Sequence, residues 1–185
     1  DVCSSDLAQF QMIGLQETRT VPGQFRSDHF TIFASGGEGP SAARFGCELW
    51  LHNTIPLLHT PAGLGITLAD CKCVALHADP RRLFVRIEHE VCQLTAIVLH
   101  APCLGKSAGD ANAPIDVVKQ WWSETSRIWH EVVTTGMICA FVDANATLAT
   151  SATEFFQEHH ADVTTAQSHI FEEFLVDHAF EILRA

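Results

Sequence analysis

Polar residues of the kinds that do chemistry stand where three apolar runs stop. The run Gln11–Leu15 is followed closely by Glu17, Leu94–Leu99 by His100, and Met137–Val142 by Asp143, with Asn145 two residues further on. A carboxylate, an imidazole and a carboxylate–amide pair are groups that catalysis uses. Strand ends in layered α/β folds are where loops converge and sites form. In extended backbone, side chains at i and i+2 point the same way. Asp143 and Asn145 are therefore expected to face one target together, with the small Ala144 leaving room between them. Each group also has an ordinary reading. A Glu after a strand is a common solvated turn residue, a His before Ala-Pro serves as a cap or core residue, and Asp-x-Asn is common turn chemistry. The weight lies in their combination.

The elements that must position these groups are short apolar runs divided by turn residues. Phe30–Ala34 and the alternating Cys47–His52 read as strands on either side of a Gly-rich loop, residues 35–46. Cys73–His77 and Leu83–Glu88 flank Asp79-Pro80-Arg81, a tight turn, and Cys92–Leu99 follows after another, so residues 73–99 are expected to form an antiparallel meander. A helix is expected over Ala113–His130, capped by Asn112 and with Pro114 in its first turn; Ile115, Val118, Trp122, Thr125 and Trp129 recur on one face. Glu154–His160 and Ser168–Leu183 also read as helices. No repeat, low-complexity tract or linker interrupts the pattern, which is that of one α/β unit.

Composition narrows the classes. The chain has 185 residues, 47% of them hydrophobic, which excludes intrinsic disorder and supports one domain with a real core. Eleven Lys and Arg against 22 Asp and Glu give a formal charge of −11, the wrong sign for a protein that coats nucleic acid. No apolar run approaches the roughly 20 residues of a membrane-spanning helix. Seven cysteines without a CxxC pair or compact framework fit reduced thiols in an intracellular protein, in cytoplasm or nucleus, and no secretory signal is visible. The opening heptapeptide DVCSSDL is what one reading frame of a common sequencing adapter encodes; residues 1–7 are expected to be such an artefact, leaving 8–185 as the domain.

Leu15-Gln16-Glu17-Thr18-Arg19 resembles the LQET(R) box of the endonuclease/exonuclease/phosphatase superfamily. Ile97-Val98-Leu99-His100-Ala101-Pro102 resembles that family's strand ending in Tyr or His shortly before Pro, and Phe141-Val142-Asp143-Ala144-Asn145-Ala146 resembles its GDFNA box, in the same order. The QETR and HAP forms are most similar to the endonuclease domains of non-LTR (LINE-type) retrotransposons. Two positions depart from the pattern: Val142 stands for the family's Gly and Ala144 for its Phe. The family's first strand with its metal-binding Asn, and its terminal Ser-Asp-His box, find no counterpart; Asp177-His178 follows Asp143 too soon and sits in a helical run.

The resemblance implies a four-layer α-β-β-α sandwich of the deoxyribonuclease type, incomplete here at both ends. It implies Mg²⁺-dependent phosphodiester hydrolysis, with Mn²⁺ as an alternative ion. Glu17 would be the primary metal ligand, with Asp143 and Asn145 as alternatives. Asp143 would orient or deprotonate the water, Asn145 donate to a phosphate oxygen, and His100 stabilise developing negative charge. Mg²⁺ needs only one or two protein carboxylates, so no dense ligand cluster is expected. Arg19, Arg81 and Arg82, with Arg86, are the cations placed to meet phosphate, although cations also guard hairpin edges. DNA would be the substrate, bound through further domains that supply the positive surface. The alternatives are a phosphatase or phosphodiesterase of the same superfamily acting on a small phosphate ester, and a non-catalytic remnant. For these 185 residues alone we expect Mg²⁺ affinity no better than millimolar and no measurable nicking.

Other clusters carry less. Cys71-Lys72-Cys73 puts two thiols on one strand face without the second pair a zinc site needs. Gly36-Gly37-Glu38-Gly39 lacks the strand and helix of a nucleotide loop. His159-His160 caps a short helix, and Trp121, Trp122 and Trp129 read mainly as core, with one exposed indole able to stack on a base.

Overall fold

The structure, a computed structural model, describes residues 7, 9–37, 45–60, 62–104, 112–133, 136–146 and 166–178. The expected helix over 154–160 with its His159-His160, the far end of the expected C-terminal helix, and residues 1–6 lie outside the described residues. The chain divides into two compact units, one of residues 1–100 and 130–142, the other of 101–129 and 143–185.

The first unit is built from two four-stranded sheets. Strands β1 (Met12–Gln16), β2 (Gly23–Arg26), β3 (Phe30–Ala34) and β4 (Cys47–His52) pair antiparallel in the order β1-β4-β3-β2. A small hairpin follows, β5 (Leu58–His59) with β6 (Gly65–Ile66). The second sheet contains β7 (Lys72–Asp79), β8 (Arg82–His89), β9 (Cys92–His100) and, after the chain returns, β12 (Met137–Asp143), ordered β12-β9-β8-β7. The expected meander over 73–99 is present, with Pro80–Arg81 as its first two-residue turn.

The strand period of two sorts side chains onto one shared core. Cys47, Leu49 and Leu51 of β4 pack with Leu83, Val85 and Ile87 of β8 and Leu94, Ala96 and Val98 of β9. The sheets thus bury one face against each other, at about 1.5–3 kcal/mol for each fully buried aliphatic side chain. Phe84, Ile97 and Leu99, which alternate with these, are buried too. Strands buried on both sides lose polar alternation, which is why Leu83–Val85 of β8 and Ala96–Leu99 of β9 are continuous apolar stretches. Gly14 on β1 lies directly beneath Phe141 of β12, where any Cβ would collide with the ring.

In the second unit, β10 (Cys103–Leu104) pairs in parallel with β11 (Asn112–Ala113), and two helices, α1 (Ile115–Val132) and α2 (Ala166–Asp177), contribute an aromatic cluster. Trp122 meets Phe171 and Phe174 at ring separations of 5.1 and 4.6 Å, and His178 lies 4.6 Å from Trp129 while bonding Ser126 at 3.1 Å. Trp121, Trp122 and Trp129 are all buried. The chain is mixed α/β.

Several boundaries differ from expectation. Helix α1 starts after Pro114, not at Ala113, and Pro114 rather than Asn112 holds the cap: its carbonyl accepts from the N–H groups of Val117 and Val118. The residue before a proline resists helical backbone, and here Asn112–Ala113 joins a strand pair. Helix α2 begins two residues earlier than Ser168. Strand β2 was not foreseen; all four of its residues are exposed, so it carries no apolar signal.

Candidate active site

In the first unit, the segment after β1 is pinned at every second residue. Gln16 Nε2 donates to the Phe141 carbonyl at 3.3 Å, Thr18 N–H to the Gly46 carbonyl at 3.3 Å, and Thr20 Oγ1 to Glu48 Oε1 at 2.6 Å. Glu48 is buried, and its other oxygen accepts the Trp50 indole N–H at 2.6 Å. Glu17 and Arg19, the residues between, are exposed. Both take left-handed backbone, with φ of 57° and 54°. Phe45, whose carbonyl accepts the Arg19 N–H at 3.0 Å, does the same at φ 59°. Left-handed backbone costs an L-residue about 1–2 kcal/mol, and such strain concentrates at functional sites. Gly46, at φ 110°, is required by both angle and space, because a Cβ would press on Thr18 and Arg19.

His100 ends β9 with its side chain only 6% exposed, and its Nε2 lies 3.7 Å from Glu17 Oε1, whose side chain is 61% exposed. At that distance the two approach without a hydrogen bond. The imidazole stands edgewise to the Phe45 ring, centroids 5.7 Å apart. The Arg81 guanidinium lies 3.5 Å over the same ring, a cation–π contact of about 0.5–2 kcal/mol. Arg81 Nη1 also donates to the His100 carbonyl at 3.1 Å, and the His100 N–H to the Arg81 carbonyl at 2.9 Å. Phe45 is thus part of the site although nothing in its Gly-rich surroundings marks it.

In the second unit, Asp143-Ala144-Asn145 is not extended, which corrects the expectation that the two polar side chains align as i and i+2 on a strand. Asn145 is left-handed at φ 49°, and its backbone N–H donates to Asp143 Oδ1 at 3.0 Å. The turn chemistry available to Asp-x-Asn has curled the segment. The Asn145 amide instead donates to the Ala101 carbonyl at 2.7 Å, while the Ala101 N–H donates to the Asp143 carbonyl at 2.8 Å. Gln167 on α2, 2% exposed, donates from Nε2 to the carbonyls of Pro102 at 2.9 Å and Ala144 at 3.0 Å. Sequence reasoning missed Gln167, a polar residue at the start of a helix with no motif around it.

Arg82 is buried and pairs with Asp79 at 2.8 Å, and His77 Nε2 meets the same carboxylate at 2.9 Å. Burial alone would raise the Asp79 pKa, but the hydrogen bonds from His77, Arg82 and the Arg81 N–H outweigh it and bring it down to about 2. Arg86 donates to the Val132 carbonyl at 2.8 Å. Arg19 makes no hydrogen bond or ion pair from its side chain among the described residues. Burial pushes the Cys47 and Cys73 thiols up to about 12 and also raises Cys71 and Cys139, which keeps these sulfurs protonated and poor metal ligands. Among the described residues no group of three His, Cys, Asp or Glu could hold a metal ion, and no helix is long and apolar enough to cross a membrane.

No family model and no curated protein matches the chain. A solved structure does. The chain is similar to the endonuclease domain of TRAS1, a telomere-specific non-LTR retrotransposon, with a TM-score of 0.54 and 11% identity over 94% of this chain. It spans 61% of the length of that domain. The two share a fold.

Proposed function

We propose that this chain is a Mg²⁺-dependent phosphodiester-hydrolysing domain of the endonuclease/exonuclease/phosphatase type, an α-β-β-α sandwich from a retroelement protein that cleaves DNA inside the cell. The observation that carries the reading is the exposed Glu17 carboxylate, on left-handed backbone 3.7 Å from the buried His100 imidazole, in a fold shared with a retrotransposon endonuclease domain. A hard cation that keeps most of its water asks for one or two carboxylate oxygens. Glu17 is paired with no Lys or Arg among the described residues, so the donor set fits. When bound, Mg²⁺ would relieve charge on the phosphoryl oxygens and favour deprotonation of the attacking water.

The chain's own residues divide the remaining work. Asp143 orients the water and takes its proton. Asn145, whose amide keeps a second hydrogen beyond the one given to Ala101, donates to a phosphoryl oxygen. In the first unit, His100 beside Glu17 stabilises developing negative charge. Arg19 is the cation best able to meet an adjacent phosphate, since Arg81 and Arg82 are engaged by Phe45 and Asp79. With a formal charge of −11, duplex affinity is supplied by further domains.

The test is paramagnetic. Millimolar Mn²⁺ is expected to broaden the NMR signals of Glu17 and the His100 ring, and Glu17→Gln to abolish the broadening. Broadening centred on another acidic surface would overturn the reading. Plasmid nicking by the chain alone is expected to stay below detection. Phosphate release from inositol phosphates or nucleotides would transfer the site to a small-ester phosphatase.

A further inference from the structure

We propose that Phe45 and Arg81 are positioning residues for His100: the guanidinium clamps the aromatic ring, and the ring fixes the imidazole so that Nε2 is presented toward Glu17. The inference rests on the reading in which His100 acts at the phosphoryl group, and adds the parts that aim it.

Three observations converge. Phe45 adopts left-handed backbone at φ 59°, a conformation in which a bulky aromatic is a genuine outlier and persists only where its surroundings over-determine it. Two groups hold the ring here: the Arg81 guanidinium 3.5 Å from its centroid and the His100 imidazole 5.7 Å away at an interplanar angle of 62°. The backbone locks the same pieces in register. Arg19 N–H donates to the Phe45 carbonyl at 3.0 Å, Gly46 N–H to the Pro80 carbonyl at 2.8 Å, and Arg81 and His100 exchange bonds through their main chains and the Arg81 side chain. Glu17 and Phe45 are therefore tied to one another through two residues, and His100 is held between them. An imidazole at the end of a strand otherwise turns about two side-chain torsions. The ring removes that freedom, and near-attack geometry is sensitive to it.

The arrangement also explains why Arg81 is not spent on solvent. A flexible Arg at a hairpin tip would gain entropy by staying mobile; here it is held by a ring face and a carbonyl at once.

The experiment uses the full chain with ¹³C-labelled histidine, the His100 signal being identified by its loss in His100→Gln. In the parent, the order parameter of the His100 ring should be that of a rigid group. Phe45→Leu, which keeps Arg81 and its bond to the His100 carbonyl, should loosen the ring and move its C–H signals toward those of an exposed histidine. Arg81→Met should loosen it less, and both Phe45→Tyr and Arg81→Lys should restore order. A His100 ring as rigid in Phe45→Leu as in the parent, with circular dichroism unchanged, overturns the proposal. So does an Arg81→Lys chain as loose as Arg81→Met. If Phe45→Leu fails to fold, the Arg81→Met and Arg81→Lys comparison decides. None of these readouts involves metal or cleavage, so a failure of the metal-binding reading, seen as Mn²⁺ broadening elsewhere, is told apart from a failure of this one.

Discussion

Among its described residues the first unit pairs a carboxylate with a histidine twice, and the two pairs are finished to very different degrees. At the β7–β8 hairpin, Asp79 accepts from His77 at 2.9 Å, Arg82 at 2.8 Å and the Arg81 N–H at 2.8 Å, with 27% of its side chain exposed. At the end of β1, Glu17 reaches His100 only to 3.7 Å and leaves most of its carboxylate in water. The hairpin pair is saturated, as a group kept for stability should be. The Glu17 pair sits on strained backbone and keeps acceptor capacity in hand. Stability has been invested around Asp79 and withheld around Glu17, as expected where an anion must receive something else.

Substitutions at the two carboxylates break or sharpen this contrast. The largest effect is expected for Asp79→Asn, which takes the carboxylate away from the buried Arg82: a loss of about 2–3 kcal/mol in urea unfolding, or about 4–10 °C in Tm. A loss below about 0.5 kcal/mol would show the hairpin pair to be ornamental. The pH dependence follows with its sign. The folded Asp79 carboxyl titrates at about 2 against an ordinary value near 4, so its contribution is complete above that ordinary value and disappears as the pH falls through about 2. The parent should therefore lose up to about 2 kcal/mol more than Asp79→Asn between pH 4 and 2 in parallel denaturation curves. Arg19→Gly should stabilise the chain by about 1 kcal/mol, since glycine adopts left-handed backbone without the Cβ penalty, less its greater freedom when unfolded. Destabilisation would mean that the Arg19 side chain carries structure of its own. Smallest of all, Glu17→Gln should alter stability by less than about 0.5 kcal/mol, while abolishing Mn²⁺ broadening at His100.

The sequence exposed the framework wherever burial left a mark on composition. Strands β3 and β4 follow their apolar runs residue for residue, and the Asp79-Pro80-Arg81 turn was readable because proline and aspartate favour that geometry. Strand β2 was hidden because its four residues all face water. Of the site, Glu17 and His100 were legible as strand-end polar residues. Their surroundings were not: Phe45 is brought to His100 by pairing across the chain, and left-handed backbone at Glu17, Arg19 and Phe45 has no glycine to announce it. Asn145 was misread for a local reason. An extended reading assumes that side chains do not compete for backbone, and Asp143 Oδ1 does, capturing the Asn145 N–H.

Gln167 carries a consequence for genetics. One amide nitrogen serves the carbonyls of Pro102 and Ala144, the second of which lies between Asp143 and Asn145. A mutational scan would therefore score this helical glutamine among the reactive positions. Glutamate there, despite its nearly identical shape, should fare no better than leucine, because it offers oxygen where two oxygens already wait.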